Sequence, residues 1–268
     1  MSRFCIAVAG ILLSAVLSLP VKALTGEVIT ITIENSVIYP GTERIVEVYV
    51  PAAYDGVEPA CLLVRMDGGT GQMAEVLDSL IAEGSIPVTI GVIVTPGRIR
   101  DKDGRVVRYN RSNEYDRMDG RFASFIETEV LPRVESLSTS DGKEVKLSGR
   151  AADRAIMGGS SGAICAFNAA WQRPDLFSRV FSAIGTFVSF RGGDQFPALV
   201  RKGEPRRLRV FLQENRGDTW NPLFGSWFEY NTLLLSALEF AGYEVRHQWD
   251  EGGHDWKNAE ASLKEALR

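Results

Sequence analysis

Apolar residues return along this chain in two rhythms. From residue 28 onward, short apolar or β-branched runs alternate with longer stretches whose apolar positions recur every third or fourth residue. The first rhythm predicts strands and the second helices. Residues 28–33 and 44–50 read as two strands, with Pro40-Gly41 marking the turn between them. Residues 61–64 and 88–94 are almost wholly apolar, which suits strands covered on both faces, and a helix is expected between them over about 73–82. The charged, turn-rich stretch 98–117 reads as a solvated surface loop. A helix over about 119–130 follows, with Phe122, Phe125, Ile126 and Val130 on one stripe, and Leu131-Pro132 is expected to disturb it. Strands at 155–157, 179–183, 208–212 and 244–249 then alternate with helices at 163–171, 226–240 and 256–267, Gly242 stopping the second of these. No internal repeat is found. The alternation predicts an α/β fold: a mostly parallel central sheet with helices on both faces and an antiparallel N-terminal lead-in.

The N-terminus breaks the pattern. Arg3 precedes an apolar run from Phe4 to Leu19, interrupted by Ser14 and Ser18, and Val21-Lys22-Ala23 places small residues for cleavage before Leu24. Residues 1–23 therefore read as a secretory signal peptide, too short and too close to the start for a comfortable membrane span. The other reading is an uncleaved anchor. Removal of the leader leaves one domain, 24–268, expected in the periplasm or outside the cell and free of the membrane. A hydrophobic content of 45% and a charged content of 24% exclude disorder, and a net charge of -4 gives no reason to expect nucleic acid as a partner. Export permits a disulfide. Cys61 opens an apolar strand, however, while Cys165 sits on a helix, so two separate buried thiols are favoured. Neither His nor Cys is clustered with ligand spacing, so no metal and no cofactor are expected.

The chemistry concentrates at two places. Gly158-Gly159-Ser160-Ser161-Gly162 follows an apolar run and leads into a helix; His254, one of two histidines, lies in Gly252-Gly253-His254-Asp255-Trp256. A Gly-x-Ser-x-Gly turn between strand and helix lifts the central hydroxyl above a sheet edge, and a later histidine can serve as its base. Ser160 is the candidate nucleophile and Ser161 its rival. His254 is the candidate base, whereas His247, sharing a strand face with Val245 and Trp249, reads as structural. A carboxylate should follow the strand 208–212 to hold the histidine ring. Glu214 and Asp218 both lie in that expected loop; Asp218 is preferred because the longer excursion gives it reach. The N–H of Ser161, at a helix N-terminus, and those of Gly68 or Gly69 in Asp67-Gly68-Gly69-Thr70 are candidate oxyanion donors. Trp220, Trp227 and Arg111 are candidate substrate contacts, the tryptophans as a platform for a sugar or an aromatic acyl group and Arg111 for an anionic one, with Phe224 beside the platform.

Several segments together resemble the esterase family that includes esterase D and the catalytic domain of enterochelin esterase, to which acetylxylan and feruloyl esterases are similar. They are Tyr39-Pro40-Gly41-Thr42-Glu43-Arg44, Val48-Tyr49-Val50-Pro51, Asp67-Gly68-Gly69, Asn110-Arg111-Ser112-Asn113-Glu114-Tyr115-Asp116, Leu131-Pro132, the serine pentapeptide and Gly252-Gly253-His254-Asp255-Trp256. The resemblance implies an α/β-hydrolase fold, a Ser160–His254–acid triad and metal-free hydrolysis of a small-molecule or carbohydrate ester. The family often has Asp-Gly just after the strand where Glu214-Asn215 stands here. An acyltransferase with the same triad, and a binding module that keeps the fold without the chemistry, are the alternatives.

Overall fold

The computed structural model describes residues 26–268; the expected signal peptide lies outside the described residues. The chain lays down β1 (Glu27–Ile33) and β2 (Arg44–Val50), then β3 (Cys61–Met66), α1 (Gly71–Ala82) and β4 (Thr89–Val94). A hairpin of β5 (Arg98–Arg100) and β6 (Val106–Tyr109) precedes the short helices α2 (Arg111–Tyr115) and α3 (Arg121–Phe125), and α4 (Leu131–Glu135) follows. Then come β7 (Arg154–Gly159), α5 (Ser161–Gln172), β8 (Arg179–Ala183), α6 (Phe196–Lys202), β9 (Arg209–Asn215) and the two-residue strands β10 (Trp220–Asn221) and β11 (Gly225–Ser226). Helix α7 (Trp227–Phe240), β12 (Glu244–Asp250) and α8 (Lys257–Leu267) close the chain.

Eight strands form one sheet in the order β1-β2-β4-β3-β7-β8-β9-β12. β2 runs antiparallel to β1 and β4, and every pair from β4 onward is parallel. Alternation along each strand splits the core in two. Leu62, Val64, Ile156, Val180, Val210 and Leu212 pack with α5, α6 and α7 on one face. Leu63, Met157, Phe181 and Phe211 meet α1 and α8 on the other. The expected lead-in, the parallel sheet and its two helical layers are all present.

Three expectations change. The stretch 98–117 is a hairpin and a helix rather than a loop, and its charges pair locally: Arg100 with Glu43 at 2.7 Å, Arg105 with Asp101 at 3.1 Å and with Asp103 at 2.9 Å. The helix before Pro132 does not end there. A π-helical turn over Ile126–Val130 joins α3 to α4 and places the proline near the start of the last segment, where its missing N–H costs least. Finally, β9 runs three residues further than expected, so Glu214 lies on a strand and not in a loop.

Helix α2, which carries Arg111, is anchored by an enclosed ion pair. The Arg44 guanidinium donates to Glu114 at 2.6 and 3.0 Å, with both side chains fully shielded from solvent. Thr42, Asn110 and the N–H of Gly97 complete the network. Removing one partner strands a buried charge. Glu114→Ala is expected to lower unfolding free energy by about 3–5 kcal/mol, read from urea denaturation; a loss under about 1 kcal/mol would show that water replaces the carboxylate.

Candidate active site

Ser160 sits at the tip of β7, where the chain turns into α5 with φ 56° and ψ -124°. A non-glycine residue rarely adopts positive φ, and its neighbours show what holds it there. A Cβ at Gly158 would collide with the Gly162 carbonyl, and one at Gly159 with the Trp256 ring. At Gly162 it would stand 3.1 Å from the Met66 Cβ. The glycines thus let the turn close and α5 pack against the end of β3. The Ser160 N–H donates to the Ala183 carbonyl at 3.0 Å, tying the turn to β8.

His254 lies in the loop between β12 and α8, and Asp218 in the loop after β9. The Ser160 hydroxyl lies 2.8 Å from His254 Nε2, and His254 Nδ1 lies 2.8 and 2.9 Å from the two Asp218 oxygens. A carboxylate only accepts, so Nδ1 carries the ring proton and Nε2 is free to accept from Ser160. Side-chain exposure falls from 30% at His254 to 0% at Asp218. Burial alone would raise the Asp218 pKa; hydrogen bonds from His254, then Glu214 and the Thr219 N–H, outweigh it and hold the group below the ordinary carboxylate value. The arrangement can therefore take a proton from Ser160, hold it on the ring beside a fixed negative charge, and return it.

Glu214 is brought close to Asp218 but not to the ring. Its side chain points toward α7, and Asn231 donates to it at 2.6 Å. Ser161 is buried and is the first residue of α5, a position whose N–H has no intrahelical acceptor. Across from it, Asp67 and Gly68 both take positive φ, 62° and 73°, turning the backbone sharply after β3.

Arg111 has a partner already. Its Nε lies 3.0 Å and its Nη2 2.7 Å from an Asp67 oxygen, and Nη2 also reaches the Gly159 carbonyl at 3.4 Å. The guanidinium thus clamps the Asp67 turn to the serine turn. Trp227 stands edge-on to the His254 ring, centroids 5.9 Å apart. Its Nε1 donates to Thr186 Oγ1 at 3.3 Å, and Thr186 Oγ1 lies 3.2 Å from the Ser160 hydroxyl. Trp220, on the β10–β11 hairpin, is 69% exposed. His247 packs against Trp249 on β12, with ring centroids 4.8 Å apart and the planes tilted by 42°. The sequence reading missed Thr186 and Asn231. Nothing in the local sequence marks either, because each matters only through what the fold sets beside it.

Cys61 and Cys165 are both free thiols, the latter buried and its pKa raised by that burial. Among the described residues no group of three His, Cys, Asp or Glu side chains could hold a metal, and no helix is long and apolar enough to cross a membrane.

The sheet order, the serine turn and the loops at the strand ends define an α/β-hydrolase fold. The Esterase family model, described as "Putative esterase", matches residues 38–268, and the chain belongs to that family. A ferulic acid esterase structure aligns with a TM-score of 0.68 and 20% identity over 91% of this chain and 97% of that one. The enterobactin esterase of Shigella flexneri, in the presence of enterobactin, aligns with a TM-score of 0.69 and 19% identity over 90% of this chain but 58% of that one. The feruloyl esterase module from Clostridium thermocellum, a serine-to-alanine mutant complexed with sinapinate, aligns with a TM-score of 0.61 and 16% identity, covering 91% and 87%. No curated protein matches. Family membership and these neighbours support a hydrolase acting on esters.

Proposed function

We propose that this protein is a serine carboxylic ester hydrolase that works through an acyl-enzyme. The observation that carries the reading is the continuous line from Ser160 through His254 to Asp218, with both gaps at 2.8 Å. Ser160 Oγ attacks the acyl carbon as its proton passes to His254 Nε2. The carbonyl oxygen, now negative, is met by the N–H of Ser161 and that of Gly68 or Gly69. His254 then gives its proton to the leaving alkoxide. Water enters, is deprotonated by the same nitrogen, and releases the acid.

Trp227 beside the ring and the exposed Trp220 favour a substrate with a flat or sugar-like face. Feruloyl, sugar and siderophore esters all fit that description, and the leader-like N-terminus suits an exported substrate. Arg111 acts here as the clamp on the Asp67 turn, so its anion-binding role is set aside. Arg111→Met is expected to lower kcat about tenfold to a hundredfold with KM little changed, since a loosened oxyanion donor costs part of the hundredfold to thousandfold of losing one. A purely substrate-binding arginine would instead raise KM.

A fluorophosphonate probe tests the mechanism. Peptide mapping should place one adduct on Ser160, and a panel of short-chain, feruloyl, acetyl-sugar and siderophore esters should release free acid even with added alcohol. An adduct on Ser161, or none, overturns the assignment; ester products with the alcohol turn it into a transferase.

A further inference from the structure

A second acid lies behind the candidate triad, and the mechanism above does not use it. Glu214 is 0% exposed near the end of β9. One of its oxygens accepts from the Asn215 N–H at 2.7 Å and the other from Asn231 Nδ2 at 2.6 Å, and the carboxyl lies within hydrogen-bonding reach of the Asp218 carboxyl. Asn231 is itself wholly buried and also donates to the Gly185 carbonyl at 2.8 Å, so the group that grips Glu214 is pinned to the loop after β8.

Two carboxyl groups in hydrogen-bond contact in a dry pocket cannot both be ionised. Asp218 has the better claim to the charge, because it accepts from the His254 ring and the Thr219 N–H. The remaining proton then sits on Glu214 and points at Asp218. We propose that Glu214, as a neutral acid, is a positioning residue that holds the Asp218 carboxylate at the orientation His254 requires. The inference rests on the Ser160–His254–Asp218 reading and extends it by one donor. Asp218 would then receive hydrogen bonds from three sides, with the Nδ1–H of His254 as the one that changes during turnover.

The surroundings agree. Asp218 is the charged group that faces Glu214. α7 presents the neutral Asn231, and β12 pairs at this register through Trp249. Asp250 of β12 is engaged by Gln213, which points to the other face of the sheet. Burial, then the hydrogen bond and the charge of Asp218, push the Glu214 pKa up to about 10. A carboxyl whose pKa is raised on folding contributes its full stability below the unfolded value near 4.5 and loses it as pH climbs through about 10.

Glu214→Gln keeps a donor toward Asp218 but cannot ionise, whereas Glu214→Leu removes the donor. Melting temperature and kcat are measured for both and for the wild type from pH 5 to 10. The difference in Tm between Glu214→Gln and wild type should grow with pH, by at least about 3 °C between pH 6 and 9. Glu214→Leu should lower kcat about tenfold to a hundredfold, as expected for losing a hydrogen bond to a charged group, with KM nearly constant; Glu214→Gln should recover most of that loss and keep its kcat above pH 9, where the wild type falls. Parallel Tm curves overturn the inference, as does equal loss of kcat in the two variants or wild-type kcat in Glu214→Leu. If Glu214→Leu does not fold, the glutamine variant decides alone: diverging Tm curves with kcat within about tenfold of wild type sustain the inference, and either result reversed ends it. The Tm comparison does not depend on catalysis, so it separates failure of this inference from failure of the esterase reading, which the Ser160 adduct reports.

Discussion

Ser160→Ala is expected to lower kcat about 10⁵- to 10⁶-fold while leaving KM within a few fold and abolishing fluorophosphonate labelling. The size follows from what one oxygen does: it forms the acyl bond, and His254 has no other hydroxyl poised on Nε2. Thr186 Oγ1 is close, 3.2 Å from Ser160 Oγ, but it is buried and takes the indole N–H of Trp227, so it orients the serine rather than replacing it. What survives should be the contribution of binding and the oxyanion donors, roughly 10³-fold over water. Adding His254→Ala to Ser160→Ala should cost almost nothing more, because the pair works as a unit. Ser161→Ala should lose less than about tenfold, since its N–H remains. Steady-state kinetics on any ester that the wild type turns over checks all three. A Ser161 variant as damaged as Ser160→Ala would move the nucleophile by one residue.

The second large effect belongs to the acid. Asp218→Asn is expected to reduce kcat about 10³- to 10⁴-fold at neutral pH. An amide facing Nδ1 with its NH₂ group drives the ring to the other tautomer, putting a hydrogen on Nε2 where the lone pair must meet Ser160. Glu214 does not stand in for the missing charge. It faces α7 and is gripped by Asn231, so the ring stays out of its reach. Glu214→Gln should therefore remain at least a hundredfold more active than Asp218→Asn, and the comparison of kcat at one pH identifies which carboxyl touches the histidine. Equal losses would mean that the two acids share the role.

Much of this was open to a reader of the sequence. Strand after strand lies within a residue or two of its expected position, because burial on both faces writes an apolar run and burial on one face writes alternation. The pairing of Ser160 with His254 was legible because glycines crowd both sites and the histidines are only two. The acid was harder. Asp218 and Glu214 both follow the apolar part of β9, and only the strand's extension to Asn215 sends Glu214 into the sheet while leaving Asp218 on the loop. The Arg111–Asp67 clamp was not legible for a related reason. Asp67 lies on a segment distant from Arg111, and nothing local to either residue records that packing Gly162 against Met66 brings them together.

Local sequence by itself determined the elements, their alternation and the two chemical groups at the elbow and the late glycine pair, since each depends on side-chain period or on a backbone bend that neighbours encode. Tertiary structure alone decided which carboxyl meets the ring, that an arginine became a clamp, and that a second acid lies behind the first. The first two are contacts between residues far apart in the chain, and for the paired acids burial, not spacing, sets the charge.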